Sequence, residues 1–261
     1  MDYQTLQIER HPAHVVVWLN RPDLRNAFDE TLIRELTHAF QHLGQDSAVR
    51  VIVLAAKGTV FCAGADLNWM QRMAEYGYAE NLQDAALLAK MLHTLYLCPK
   101  PVLARVQGDC YAGGMGLVAA CDIVLAADSA NFCLSEVRLG LIPATISPYV
   151  IKAIGEPAAR RYFLTAEKFS ARQACQMGLV HEALSAERLD TRMRSVIEAL
   201  LAASPHALAQ AKRLVRDIAN QPLNEHLVAD TVGRIAEIRA SSEGREGVRA
   251  FLEKRKPSWQ L

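Results

Sequence analysis

The chain has 261 residues, 51% hydrophobic and 22% charged, and its 29 Lys and Arg against 28 Asp and Glu leave a formal charge of +1. That is enough chain for one large domain with a full core, which excludes a disordered polymer, and the charge balance excludes a global drive toward nucleic acid. Six scattered cysteines with no CxxC pair argue against a zinc site or a disulfide framework and for reduced thiols in the cytoplasm.

Residues 6–19 alternate at period two, with Leu6, Ile8, Val15, Val17 and Leu19 on one face, and read as a hairpin or two adjacent strands. Asn20-Arg21-Pro22-Asp23 ends it. Residues 29–43 carry Leu32, Ile33, Leu36, Phe40 and Leu43 at helical spacing, with Asp29 as the cap. The apolar run 51–55 has the character of a buried parallel strand. A loop follows at Phe61-Cys62-Ala63-Gly64-Ala65-Asp66, then a short helix with Trp69, Met70 and Met73. A helix is expected over 80–96, stopped by Cys98-Pro99-Lys100-Pro101, and a strand over 102–106.

The segment 108–116 holds four glycines and leads into a helical stretch at 117–121 and a strand at 122–126. Beyond about residue 146 the pattern is almost wholly helical. Strands and helices alternate in the first half and helices fill the second, which predicts an α/β core with parallel strands and a helical C-terminal region. The opening Met1-Asp2-Tyr3-Gln4 lacks the basic and apolar regions of a secretory signal. The most apolar stretch, 117–127, is interrupted by Asp122 and is too short to cross a bilayer. No membrane association is expected.

Two glycine-rich loops therefore follow buried strands, where ligands gather in α/β sheets. Backbone N–H groups from both can point at one oxygen. Neither loop is a nucleotide fingerprint, because Gly113-Gly114-Met115-Gly116 does not make GxGxxG and no GxxxxGK[ST] occurs. Asp109 reads as a turn residue, with Tyr111 beside it. His38, His42 and His93 read as surface or packing residues, and Ser135 as a local hydrogen-bonding residue. Arg138 reads as a structural salt bridge rather than a partner for a substrate carboxylate.

Phe61-Cys62-Ala63-Gly64-Ala65-Asp66-Leu67, Gly113-Gly114-Met115-Gly116-Leu117, Cys121-Asp122-Ile123 and Ser135-Glu136-Val137-Arg138-Leu139-Gly140-Leu141-Ile142-Pro143, in this order, resemble the enoyl-CoA hydratase/isomerase (crotonase) family. The resemblance runs from Asn20-Arg21-Pro22 to Phe251-Leu252-Glu253-Lys254-Arg255. Around Glu136, through Ile146-Ser147-Pro148-Tyr149-Val150 and Ala158-Ala159-Arg160-Arg161-Tyr162, the chain is similar to bacterial hydratases of 3-methylglutaconyl-CoA in leucine breakdown. It is similar also to those of carboxygeranoyl-type (isohexenylglutaconyl) CoA esters in acyclic isoprenoid breakdown.

The resemblance implies a ββα spiral core over residues 1–190 and a helical region over 191–261 that assembles trimers, singly or stacked as hexamers. It implies an acyl-CoA substrate, with coenzyme A carried by the substrate and no separate cofactor or metal. The N–H groups of Ala65 and Gly113 would form an oxyanion hole for the enolate. Adenine would pack near Ala63, Ala65 and Leu67, beside Asp66. Arg25 and Lys254 would meet the CoA phosphates, with Phe251 on the same edge. Trp69, Met70 and Met73 would line the acyl tunnel.

Family hydratases commonly use two glutamates, one orienting or deprotonating water and one protonating the α-carbon. The second maps onto Glu136, and the first onto Gly116, which has no side chain. The implied activity is hydration of a branched, carboxylated enoyl-CoA. A Δ3,Δ2-enoyl-CoA isomerase using one glutamate, and a non-catalytic acyl-CoA- or RNA-binding member, stand as alternatives. The water-positioning group stays open between the backbone of 113–116, Asp109, Tyr111 and the substrate's own carboxylate.

Overall fold

The computed structural model describes residues 2–260. The chain opens with β1 (Leu6–Arg10) and β2 (His14–Leu19), paired antiparallel. Next come α1 (Glu30–Gln45) and β3 (Val51–Ala56), then α2 (Leu67–Ala74), α3 (Tyr78–Tyr96) and β4 (Val102–Val106). The Asp29 carboxylate accepts the Leu32 N–H at 2.8 Å, the expected N-cap of α1. The second glycine segment is part strand and part helix: β5 (Cys110–Tyr111) runs into α4 (Gly113–Ala120). The run 113–116 is thus the first turn of a helix, where a loop was expected.

β6 (Ile123–Ala127) and β7 (Asn131–Cys133) lead to a 3-10 turn at Glu136–Leu139, and α5 spans Ser147–Thr165. The expected wholly helical remainder is interrupted by β8 (Phe169–Ser170) and, after α6 (Ala171–Met177), by β9 (Glu182–Leu184). The chain ends in α7 (Ala186–Ala202), α8 (Pro205–Ile218), α9 (Glu225–Ala240) and α10 (Ser242–Leu252).

Six strands form one sheet in the order β1-β2-β3-β4-β6-β9, parallel from β2 onward. β3 is buried along its whole length, as its unbroken apolar run requires. A three-stranded sheet, β5-β7-β8, carries the second loop. The main core packs α1, α3, α4 and α5 on one face of the large sheet through Leu36, Phe40, Leu92, Leu117 and Val150. On the other face, Leu189, Met193 and Ile197 of α7 cover Val51, Val53, Leu103 and Leu125.

The expected division after residue 190 falls inside α7, with no break in the helix. The change of character comes later. Among their described residues α8 and α9 bury none, and α10 buries only Ala250. No described helix is long and apolar enough to cross a membrane.

Candidate active site

The first loop is zipped to the segment before α1. The Ala63 N–H donates to the Arg25 carbonyl (3.0 Å), Phe28 N–H to the Gly64 carbonyl (2.7 Å), and Asp66 N–H to the Phe28 carbonyl (2.8 Å). This places Arg25 alongside Ala63. Arg25 is exposed and takes part in no ion pair among the described residues, which leaves its charge open to a ligand.

Asp66 behaves differently from the contact role implied for it. Its carboxylate caps α2 by accepting the Asn68 and Trp69 N–H groups, and it pairs with Arg21 at 3.0 Å. It is 5% exposed, so its side chain is committed to the loop's architecture. Arg21 also reaches the Ala27 carbonyl (2.6 Å) and Asp29 (3.0 Å). It thereby fixes the start of α1 and the start of α2 together.

The second loop lies against the first. Cys62 and Cys110 form a parallel bridge, and Tyr111 N–H donates to the Cys62 carbonyl at 2.9 Å. A Cβ at Gly113 would touch the Phe28 ring at 3.0 Å, so Phe28 meets both loops. Ala112, the N-cap of α4, has φ 45° and ψ −120°, a backbone state that favours glycine. Its N–H is held by the Cys133 carbonyl (2.8 Å) and its carbonyl by the Met115 N–H (2.9 Å). Ala112 is thus held through both of its peptides, the second of which carries the Gly113 N–H.

The N–H groups of Ala65 and Gly113 donate to no acceptor among the described residues. Both residues are partly exposed, and Gly113 opens α4, where first-turn N–H groups have no partner within the helix, so both donors are available to an outside acceptor. A pair of fixed donors can stabilise charge developing on a carbonyl oxygen.

Glu136 opens the 3-10 turn after β7, and its carbonyl accepts the Leu141 N–H at 3.1 Å. Its Oε2 is buried without a hydrogen-bond partner among the described residues. Burial pushes its carboxyl above the ordinary glutamate range, with no neighbouring charge contributing. Glu136 and Arg138 do not pair, and Arg138 forms no salt bridge among the described residues, contrary to the structural bridge expected of it.

Asp109 and Tyr111 are not free to handle water. The Tyr111 hydroxyl donates to Asp109, which also accepts the Asn131 backbone and side-chain N–H groups at 3.0 and 3.1 Å. Burial acts to raise the Asp109 pKa, but these hydrogen bonds and the Lys168 charge outweigh it and hold the carboxyl low. Trp69 is buried, and its Nε1–H donates to Asp84 (3.1 Å), linking α2 to α3. Leu67 is exposed at the head of α2.

Within one chain the structure does not bring the C-terminal residues to these loops. Phe251 is 82% exposed. The hydrogen bonds that leave α10 run to residues 204–206 and 255–258, and the Lys254 side chain pairs with nothing among the described residues. Arg21 and Phe28 were missed as residues that hold the two loops. Only their position in the segment before α1 could have pointed to them. Among the described residues no cluster of three metal-ligating side chains occurs.

The family model for enoyl-CoA hydratase/isomerase matches residues 10–261. An enoyl-CoA hydratase of Alternaria alternata is 35% identical over 250 residues, 95% of this chain and 80% of the relative. The 2,3-dehydroadipyl-CoA hydratase of Escherichia coli is 31% identical over 257 residues, 98% of each chain. A crystal structure of an enoyl-CoA hydratase from Shewanella pealeana superposes with TM-score 0.95 at 41% identity, over 98% of this chain and 96% of that one. The carboxylate on the turn after β7 and the touching glycine loops thus stand on a shared crotonase fold, and the chain belongs to the enoyl-CoA hydratase/isomerase family, as an enzyme of its hydro-lyase class.

Proposed function

We propose that the enzyme adds water across the α,β double bond of a branched acyl-CoA whose acyl group ends in a second carboxylate, with 3-methylglutaconyl-CoA as the type compound. The buried, unpartnered Oε2 of Glu136 carries this reading. A carboxyl raised by burial alone suits proton transfer near neutral pH. A relative named for 2,3-dehydroadipyl-CoA, an acyl group that also ends in a carboxylate, supports the substrate class.

In this reading the thioester oxygen lies between the N–H groups of Ala65 and Gly113. They stabilise the enolate that forms as the water oxygen bonds to the β-carbon. One such donor contributes on the order of 10²–10³ in rate. Glu136 exchanges the proton with water and the α-carbon. Arg25 takes a CoA phosphate beside Ala63 and Leu67. Coenzyme A arrives with the substrate, and no other cofactor takes part. The apolar faces of α8–α10, including Leu214, Val228, Val232, Ile235 and Phe251, are exposed in one chain. We place them in a trimer or a pair of trimers in the cytoplasm, where Phe251 and Lys254 of the assembled enzyme line the CoA edge.

A second reading, migration of a double bond by Glu136 alone, is favoured by the glycine at position 116. A substrate panel separates the two. Crotonyl-, 3-methylglutaconyl-, carboxygeranoyl- and 3-enoyl-CoA are offered to the purified enzyme. Water addition to the carboxylated esters supports the proposal. Isomerisation of the 3-enoyl ester without hydration of any ester replaces it.

A further inference from the structure

The side of α4 at Gly116 faces filled space. A Cβ on Gly116 would meet Ile146 Cγ2 at 2.4 Å, Ile146 Cβ at 2.9 Å and Leu92 Cδ2 at 3.3 Å. Ile146 is 2% exposed and Leu92 is fully buried, so neither can swing into solvent. Ile146 is the N-cap of α5, and its β-branched side chain has little rotamer freedom. The contact is therefore relieved only by moving α4 or α5. By contrast, a Cβ on Gly140 or Gly233 would meet nothing within 4 Å. Gly116 and Ile146, thirty residues apart, act as one packing unit.

Glu136 stands on the turn that packs against α5. One of its oxygens is buried and free, and no ionisable neighbour perturbs it. Asp109 and Tyr111 are engaged with each other.

We propose that Ile146 is the specificity-determining residue that restricts this site to one carboxylate, so that Glu136 carries a single proton twice in each turnover. The inference rests on the hydration reading above. Ionised Glu136 takes a proton from water, and the O–H bond breaks as the oxygen bonds to the β-carbon. The π electrons move to the thioester oxygen, giving the enolate. The carboxylic acid so formed gives the same proton to the α-carbon, the carbonyl re-forms, and Glu136 is ionised again. Nothing is oxidised or reduced, and the two new groups arrive on one face.

The test uses Gly116→Glu, Ile146→Gly and the double variant in the full chain, read by thermal unfolding and by the pH dependence of hydration. Gly116→Glu alone should lower Tm by about 5–10 °C, as overpacking does. Adding Ile146→Gly should restore at least half of that loss. If the double variant does not fold, Gly116→Ala with Ile146→Ala reads the same cycle. Wild-type hydration should rise through one ionisation and stay level to about pH 9. The double variant, with two interacting carboxyls, should fall again at higher pH.

A Gly116→Glu variant as stable as wild type overturns the role of Ile146. A wild-type profile with a second carboxyl-dependent limb overturns the single proton carrier. A wild type that hydrates none of the CoA esters sinks the hydration reading, and the stability cycle then decides the role of Ile146 by itself.

Discussion

Gly64 and Ala112 hold the two loops of the site in contact: a Cβ on Gly64 would lie 3.1 Å from the Cβ of Ala112. Both residues have positive φ, 93° and 45°, but only one of them is glycine. The alanine stores strain of about 1–3 kcal/mol at the peptide that presents the Gly113 N–H. Ala112→Gly should relieve part of it, raising Tm by about 2–4 °C for roughly 1 kcal/mol gained. Turnover should hold within about threefold, since the donor stays in place. Thermal unfolding beside the hydration assay checks both, and a lowered Tm would contradict the strain.

Gly64→Ala should act in the opposite direction. The new methyl meets Ala112 at a position where φ already disfavours it. Displacing the next residue by about 1 Å can cost on the order of 10²-fold in rate. We expect kcat to fall by about that much while KM changes little, measured by steady-state kinetics. A loss confined to KM would show that Ala65 serves binding alone.

Glu136 should cost the protein stability. Burial raises its pKa in the folded state, so between the unfolded and folded values the native form holds the extra proton. Stability then declines as pH rises through that window and levels off above the folded pKa. Glu136→Gln should be more stable than wild type above the window, with the two converging in acid. The same variant should lose at least about 10²-fold in kcat. Denaturation midpoints across pH, beside the assay, test the trade. A variant less stable than wild type at neutral pH would refute it.

Arg21 and Asp66 are 14% and 6% exposed, and their ion pair joins the starts of α1 and α2. Removing one partner of such a pair leaves an uncompensated charge and typically costs about 3–5 kcal/mol. Arg21→Ala should therefore lower stability by about that amount in urea denaturation. Arg21→Lys should recover only part, because an ammonium cannot reach Asp29, Asp66 and the Ala27 carbonyl in the guanidinium's fork. Full stability in the alanine variant would leave the loops held by packing alone.

Val232 and Ile235 lie exposed on α9, at 60% and 48%. Sedimentation at micromolar protein should give three or six times the chain mass of 28.8 kDa. Val232→Lys with Ile235→Lys should shift it toward the single chain. A wild type that sediments as a monomer would leave this face without an occupant.

The parts of the site legible in the sequence were those written in local pattern. β3 and β6 are continuous apolar runs, and Asp29 announces α1 three residues ahead of the N–H that it caps. The strands that went unseen, β5, β7, β8 and β9, have two or three residues each, too short for alternation to register. Their extended form is imposed by pairing, as Phe132 beside Phe169 shows. Gly116 was readable as a missing side chain, but what fills its place comes from another helix. Asp66 looked like a ligand contact because its motif sits in the loop, yet its partner Arg21 lies 45 residues away.

The helix that runs through residue 190 also sets where this chain can be shortened. α7 is the lid on the second face of the large sheet. Arg50, just before β3, donates to the carbonyls of Ala203 (2.6 Å) and Trp259 (2.9 Å). A gene truncated at the apparent end of the α/β half would leave Val51, Val53, Leu103 and Leu125 bare to water, an invitation to aggregate. One truncated after Ala203, the C-cap of α7, would keep the sheet covered and lose only one of the two carbonyls that Arg50 holds.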